Sequence, residues 1–174
     1  MKCKSKKIIS LLLAMIIGLS LSISVYAATS TKTFSVSTAL GPNSMMIQGW
    51  EGNTYDSNAV YFNVNLKNKT IKSITVQVGS STSSGVIIGN TMQLENTTTG
   101  KSGSVAWSGG NKTSVTYNAK NSNFIGTDTE GIYKLWYTGT VIGNTSGNPI
   151  FNIPESEAIR GYKGSEIKLI IEYA

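Results

Sequence analysis

Two tryptophans are the residues in this chain best suited to chemistry at a surface. Trp50 sits in a polar, glycine-flanked run, Gln48-Gly49-Trp50-Glu51-Gly52-Asn53, where burial is difficult. Trp136 belongs to an alternating segment and shares a face with Lys134 and Thr138, opposite the more apolar Tyr133 and Leu135. An aromatic ring held at a surface stacks on a sugar ring or seats in a partner's pocket. Trp50, Trp136 and Lys134 are therefore the candidate ligand-binding residues. Trp107 shares a face with Val105 and reads as core.

Carboxylates are the other reactive groups. Beyond residue 27 they are Glu51, Asp56, Glu95, Asp128, Glu130, Glu155, Glu157, Glu166 and Glu172. A glycosidase needs two, placed on either side of the scissile bond. Glu51 follows Trp50, but no acid falls at an inward position of an alternating strand, so no catalytic pair is expected. Asp128-Thr129-Glu130-Gly131 reads as a turn. Asp128 and Glu130, helped by backbone carbonyls, are a sparse set of calcium ligands. Capping the turn is the simpler role for Asp128.

Absent residue types narrow the chemistry further. The chain has no histidine, and its single cysteine is Cys3. A Ser-His-Asp or Cys-His catalytic set cannot be assembled, nor can the usual nitrogen and sulfur shell for zinc or copper. No glycine-rich phosphate loop opens a helix, so nucleotide binding is not expected. The reading is of a protein that is not an enzyme and carries no cofactor, with calcium the one ion these residues could hold.

The first residues explain the charge. Lys2, Lys4, Lys6 and Lys7 precede an apolar run from Ile8 to Val25, and Val25-Tyr26-Ala27 offers the small residues of a cleavage site. That is the layout of a secretory signal peptide over residues 1–27. The whole chain carries 15 basic and 9 acidic residues, a net of +6. Without the four leading lysines, 11 basic residues face 9 acids. No basic stripe remains for nucleic acid phosphates. The product is expected to be secreted, either extracellular or associated with the cell surface.

The elements that must hold these residues are strands. Apolar and polar residues alternate with period two in Phe34–Leu40, Val60–Leu66, Ile74–Val78, Gly131–Val141 and Ile167–Tyr173. Met45 and Ile47 begin a further strand, and Val86–Ile88 and Met92–Leu94 read as two short ones. The turn Lys67-Asn68-Lys69-Thr70 predicts a hairpin joining its flanking strands. So does Gly109-Gly110-Asn111-Lys112, between Val105–Trp107 and Val115–Tyr117. Gly79–Gly85 reads as a loop, and Glu155–Arg160 as one helical turn after Pro154. Four glycosylation sequons, at Asn68, Asn96, Asn111 and Asn144, fall in predicted turns.

Strands of this number and spacing predict one all-β domain over residues 28–174, after the signal peptide. The fold class is a two-sheet antiparallel sandwich, jelly-roll-like or immunoglobulin-like. Three functions fit. The first is a non-catalytic bacterial binding module for glycan or a protein partner. The second is a matrix or fibre subunit pairing through the first and last strands. The third is a membrane-active toxin inserting a hairpin from Gly79–Gly110.

Overall fold

The computed structural model describes residues 28–143 and 157–174. The expected signal peptide, the turn after Gly143, Pro154 and the Asn144 sequon lie outside them. The fold is all-β, with strands in several antiparallel sheets. The strands are β1 (Ser30–Ser35), β2 (Ser44–Trp50), β3 (Thr54–Asp56), β4 (Val60–Val64), β5 (Ile71–Val78), β6 (Ser81–Ser84), β7 (Val86–Asn96), β8 (Lys101–Ala106), β9 (Thr113–Tyr117), β10 (Gly131–Gly143), β11 (Glu157–Lys163) and β12 (Lys168–Tyr173).

Sheet A has the order β1-β12-β5-β9, and sheet B the order β2-β11-β6. These orders correspond. β1 leads to β2, β5 to β6, and β11 to β12, so three chain segments run through both sheets side by side. All three break along one crease. Gly79 and Ser80 interrupt β5–β6, and the 3-10 turn Gly164–Glu166 interrupts β11–β12. The Gly164 amide donates to Asn43 O at 2.8 Å, and the Ser80 amide donates to Glu166 Oε2 at 2.8 Å. A side chain at residue 79 would meet the Glu166 carboxylate, so only glycine fits there.

Sheet C has the order β3-β10-β7-β8, with β4 pairing farther along β10 on the same edge as β3. β10 is its spine. Tyr133, Leu135, Tyr137 and Val141 are buried on one face, while Lys134, Trp136 and Thr138 are half-buried on the other. That is the period-two alternation of a strand with one covered face. The core gathers Phe62, Leu94, Met92 and Tyr137 from sheet C with Ile74, Leu169, Ile47 and Tyr162 from sheets A and B. Trp107 joins it, 6 % exposed, with its ring edge-on to Tyr137 at 5.3 Å.

Several expectations change. The first strand stops at Ser35, and Leu40 is exposed in a turn. Trp50 closes a strand rather than sitting in a loop. Part of Gly79–Gly85 is strand β6, and Val86–Leu94 lies within one continuous strand, β7. Glu157–Arg160 is strand, because its residues ladder against β2; Glu155 lies outside the described residues. Neither predicted hairpin forms. β4 pairs β10 while β5 pairs β12 and β9, and β8 pairs β7 while β9 pairs β5. Both turns carry the chain from one sheet to another. Of the two terminal strands, β1 is a sheet edge, but β12 lies inside between β1 and β5.

Candidate functional site

The outer face of sheet C follows from its register. Lys134 lies opposite Glu95 on β7, and Glu95 opposite Ser102 on β8. The next row is Trp136, Gln93 and Ser104. Beyond it come Asp56, Thr138 and Thr91. The Gln93 amide donates to Thr138 Oγ1 at 2.9 Å, and the Thr138 hydroxyl donates to Asp56. These bonds fix the amide beside the tryptophan. The Lys134 ammonium stands 4.7 Å from the Trp136 ring centroid, a cation–π contact that orients the indole.

A wall rises along one side of this floor. The loop after β9 folds on its own asparagines: Asn118 Oδ1 accepts from the Lys120 amide, and Asn121 Oδ1 from the Asn118 amide, both at 2.8 Å. The loop then zips onto the β8 edge. The Ser104 amide donates to Asn121 O at 3.0 Å, and the Ser102 amide to Asn123 Oδ1 at 2.7 Å. Floor and wall enclose an open groove of about 610 Å³, lined by Trp136, Gln93, Glu95, Ser104, Lys120 and Asn123 among others. One indole among amides, hydroxyls and one charge of each sign suits a ring that is apolar on its face and polyhydroxylated at its rim.

The structure places the predicted residues apart. Trp136 lines the groove, and Lys134 shares its sheet face without lining it. Trp50 ends β2 in sheet B, 49 % exposed, opposite Glu157 of β11. Its amide donates to Tyr55 Oη at 3.0 Å, and its ring does not line the groove. Asp128 Oδ1 accepts from the Glu130 amide at 3.0 Å, closing a turn. The Glu130 carbonyl accepts from Asn96 Nδ2. No group of three or more histidines, cysteines or acids comes together among the described residues. A calcium ion there would take most of its oxygens from backbone and water. Glu51 is exposed in the turn after β2.

Sequence reading missed the rest of the groove. Gln93 and Glu95 alternate with Met92 and Leu94, a signal that marks them as outward-facing. Nothing local foretold that the loop Lys120–Asn123 packs against β8, since that contact depends on the whole topology.

No protein-family model matches the chain, and no curated protein matches its sequence.

Proposed function

We propose that this chain is a secreted, non-catalytic binding module that holds a glycan on the outer face of sheet C. The observation carrying the reading is the groove itself: Trp136 on a rigid strand, flanked by Gln93, Glu95, Ser104 and the braced asparagine loop. Strands position a site more firmly than loops do, and the wall is already hydrogen-bonded, so little ordering is needed on binding.

The architecture supports this reading. β1 with β2, β3 with β4, β5 with β6, and β11 with β12 each act as one strand. The described residues then form eight strands in the order first-eighth-third-sixth over second-seventh-fourth-fifth. We read this as a two-layer jelly-roll sandwich, an arrangement found in lectin domains among others. A fold alone does not set function, so the groove rather than the wrap bears the weight.

The test is a glycan panel probed with the full chain and two variants. Trp136→Ala should lower affinity for any captured glycan by about 30-fold or more, the effect of losing a central aromatic contact. Trp50→Ala should bind like the parent, and both should melt near the parent temperature. Undiminished binding by Trp136→Ala would remove the groove from consideration.

A further inference from the structure

On the groove's floor the side-chain atoms left unpaired are mostly acceptors. The Thr138 hydroxyl has a single hydrogen and gives it to Asp56 Oδ1. Its oxygen can then only accept from Gln93, so the amide must present Nε2 to Thr138, at 2.9 Å. That leaves Gln93 Oε1 as an acceptor to which no described residue donates. Glu95 follows two residues on, on the same face of β7 and about 7 Å along the strand. Both side chains line the groove. Among the described residues nothing pairs with the Glu95 carboxylate by hydrogen bond or charge. Lys134 lies opposite it in the ladder, but the Lys134 ammonium is held over the Trp136 ring.

The wall does not supply the missing donors. Asn121 Nδ2 donates to Thr116 O, and Ser122 Oγ to Asn118 O, so both are spent within the loop. Lys120 is the one cation among the lining residues, and it is exposed, on a stem long enough to keep its charge in water. An amide oxygen beside a carboxylate suits a ligand that brings several donors and a positive charge. An ammonium has three hydrogens to donate and accepts none, and its bond to a carboxylate is charge-assisted. An N-acetyl group offers one N–H and no charge. An acidic sugar would set a second carboxylate against Glu95, a like-charge contact that counts against it. A half-buried carboxylate without a partner gains most from a ligand that carries a cation.

We infer, resting on the glycan reading of the groove, that it selects amino sugars in their ammonium form. Glu95 and Gln93 Oε1 hold the charged amine beside the Trp136 ring. Glu95 sets the specificity. Thr138, through its bond to Asp56, is a positioning residue that fixes which end of the Gln93 amide is left for the ligand.

The experiment titrates the full chain by calorimetry with two probes of equal length, an oligomer of glucosamine and its N-acetylated counterpart. Ionic strength is held constant at a pH of about 5.5, where an ordinary carboxylate is ionised and the sugar amines carry their protons. The glucosamine oligomer should bind about 10-fold tighter or more, the effect of one charge-assisted hydrogen bond. Glu95→Gln should bring the ratio of the two affinities close to one. Thr138→Val frees the amide to turn and should narrow the ratio. Circular dichroism of each variant separates lost selectivity from a lost fold. Equal or tighter binding of the N-acetylated oligomer, itself lost in Trp136→Ala, overturns the amine selectivity and leaves the groove reading standing. Binding of the glucosamine oligomer that survives Trp136→Ala overturns both. A preference undiminished in Glu95→Gln overturns the selectivity, as does failure of either oligomer to bind, and the wider glycan panel then decides the groove by itself.

Discussion

Gly131 opens the spine strand at a φ of +147°, and a Cβ there would lie 2.4 Å from Asn96 Oδ1. Asn96 is itself buried and fully engaged, accepting from the Thr98 and Thr99 amides and donating to Glu130 O. Gly131→Ala should therefore destabilise the fold by about 2 kcal/mol, through strain and loss of this amide's position; chemical denaturation would measure it, and an unchanged midpoint would refute the account. Tyrosines supply a second prediction at this scale. Burial raises the phenol of Tyr133 to about 12, and burial raises Tyr117, Tyr137 and Tyr162 too. In the unfolded chain these phenols titrate near 10. The unfolded state therefore releases protons first, so stability is intact below about pH 10 and falls as the pH rises from there towards 12. Melting temperature and tyrosinate absorbance should change together in that window. A melting temperature flat across it would show the phenols are not held as described. At this scale the sequence was readable where alternation applied, Lys134 on an outer face and Trp107 in the core, while Trp136 could be read either way. Arg160, which alternates with buried Ala158 and Tyr162 on β11, escaped because its neighbours, Glu157 and Ile159 among them, read as a polar helical turn once their β2 partner was unknown.

At the scale of elements, strands were legible and their partners were not. Phe62, Ile74 and Leu169 announce buried faces by period two, and that depends only on local sequence. The turns Lys67–Thr70 and Gly109–Lys112 contain the residues of tight hairpins, with Asn68 and Lys112 at positive φ. A turn that crosses between layers needs the same residues as one that stays in a sheet. Only the competition for partners decides between them, and β12 wins β5 as β10 wins β4. The crease between sheets A and B is the element most open to test. Glu166→Ala removes the acceptor of the Ser80 amide, an exposed charge-assisted bond across the break, and should cost about 0.5–1 kcal/mol. Glu166→Gln keeps an oxygen in place and should recover most of the loss. Equal stability of the two variants would show that the crease is held by backbone alone.

At the scale of the whole molecule, the sheet edges bear on assembly. β2 presents its outer edge to Asn58 and Tyr55: Asn58 Oδ1 accepts from the Met46 amide at 2.6 Å, and Asn58 Nδ2 donates to Ser44 O. β8 is sealed by the Asn121–Asn123 loop, and the Ser81 amide at the start of β6 is met by Asn111 Oδ1 at 2.7 Å. On β1, Lys32 shares the face of buried Phe34, its ammonium 5.4 Å from that ring. A charge turned towards the covered face of an edge strand disfavours edge-to-edge pairing. The full chain should therefore stay monomeric in light scattering at high concentration. Asn58→Ala bares the β2 edge and should raise the tendency to associate. Oligomers formed by the parent would favour the matrix or fibre reading over the binding module. The stretch proposed to enter membranes is shared between sheets B and C, with Ile87, Met92 and Leu94 in the core, so freeing it would dismantle both.

The pairing of β1 with β12 also governs timing. Ser35 and Lys168 touch across 133 residues of chain, and Ser30 lies opposite Tyr173. β1 gains this neighbour only once β12 is in place. A chain emerging from its amino end, whether from a ribosome or through a membrane pore, must keep β1 unpaired from β12 until β12 has passed. Closure over so long a loop is slow, because the entropy is lost before the contacts form. During that wait the incomplete sheet is a natural target for whatever holds unfolded chains in solution.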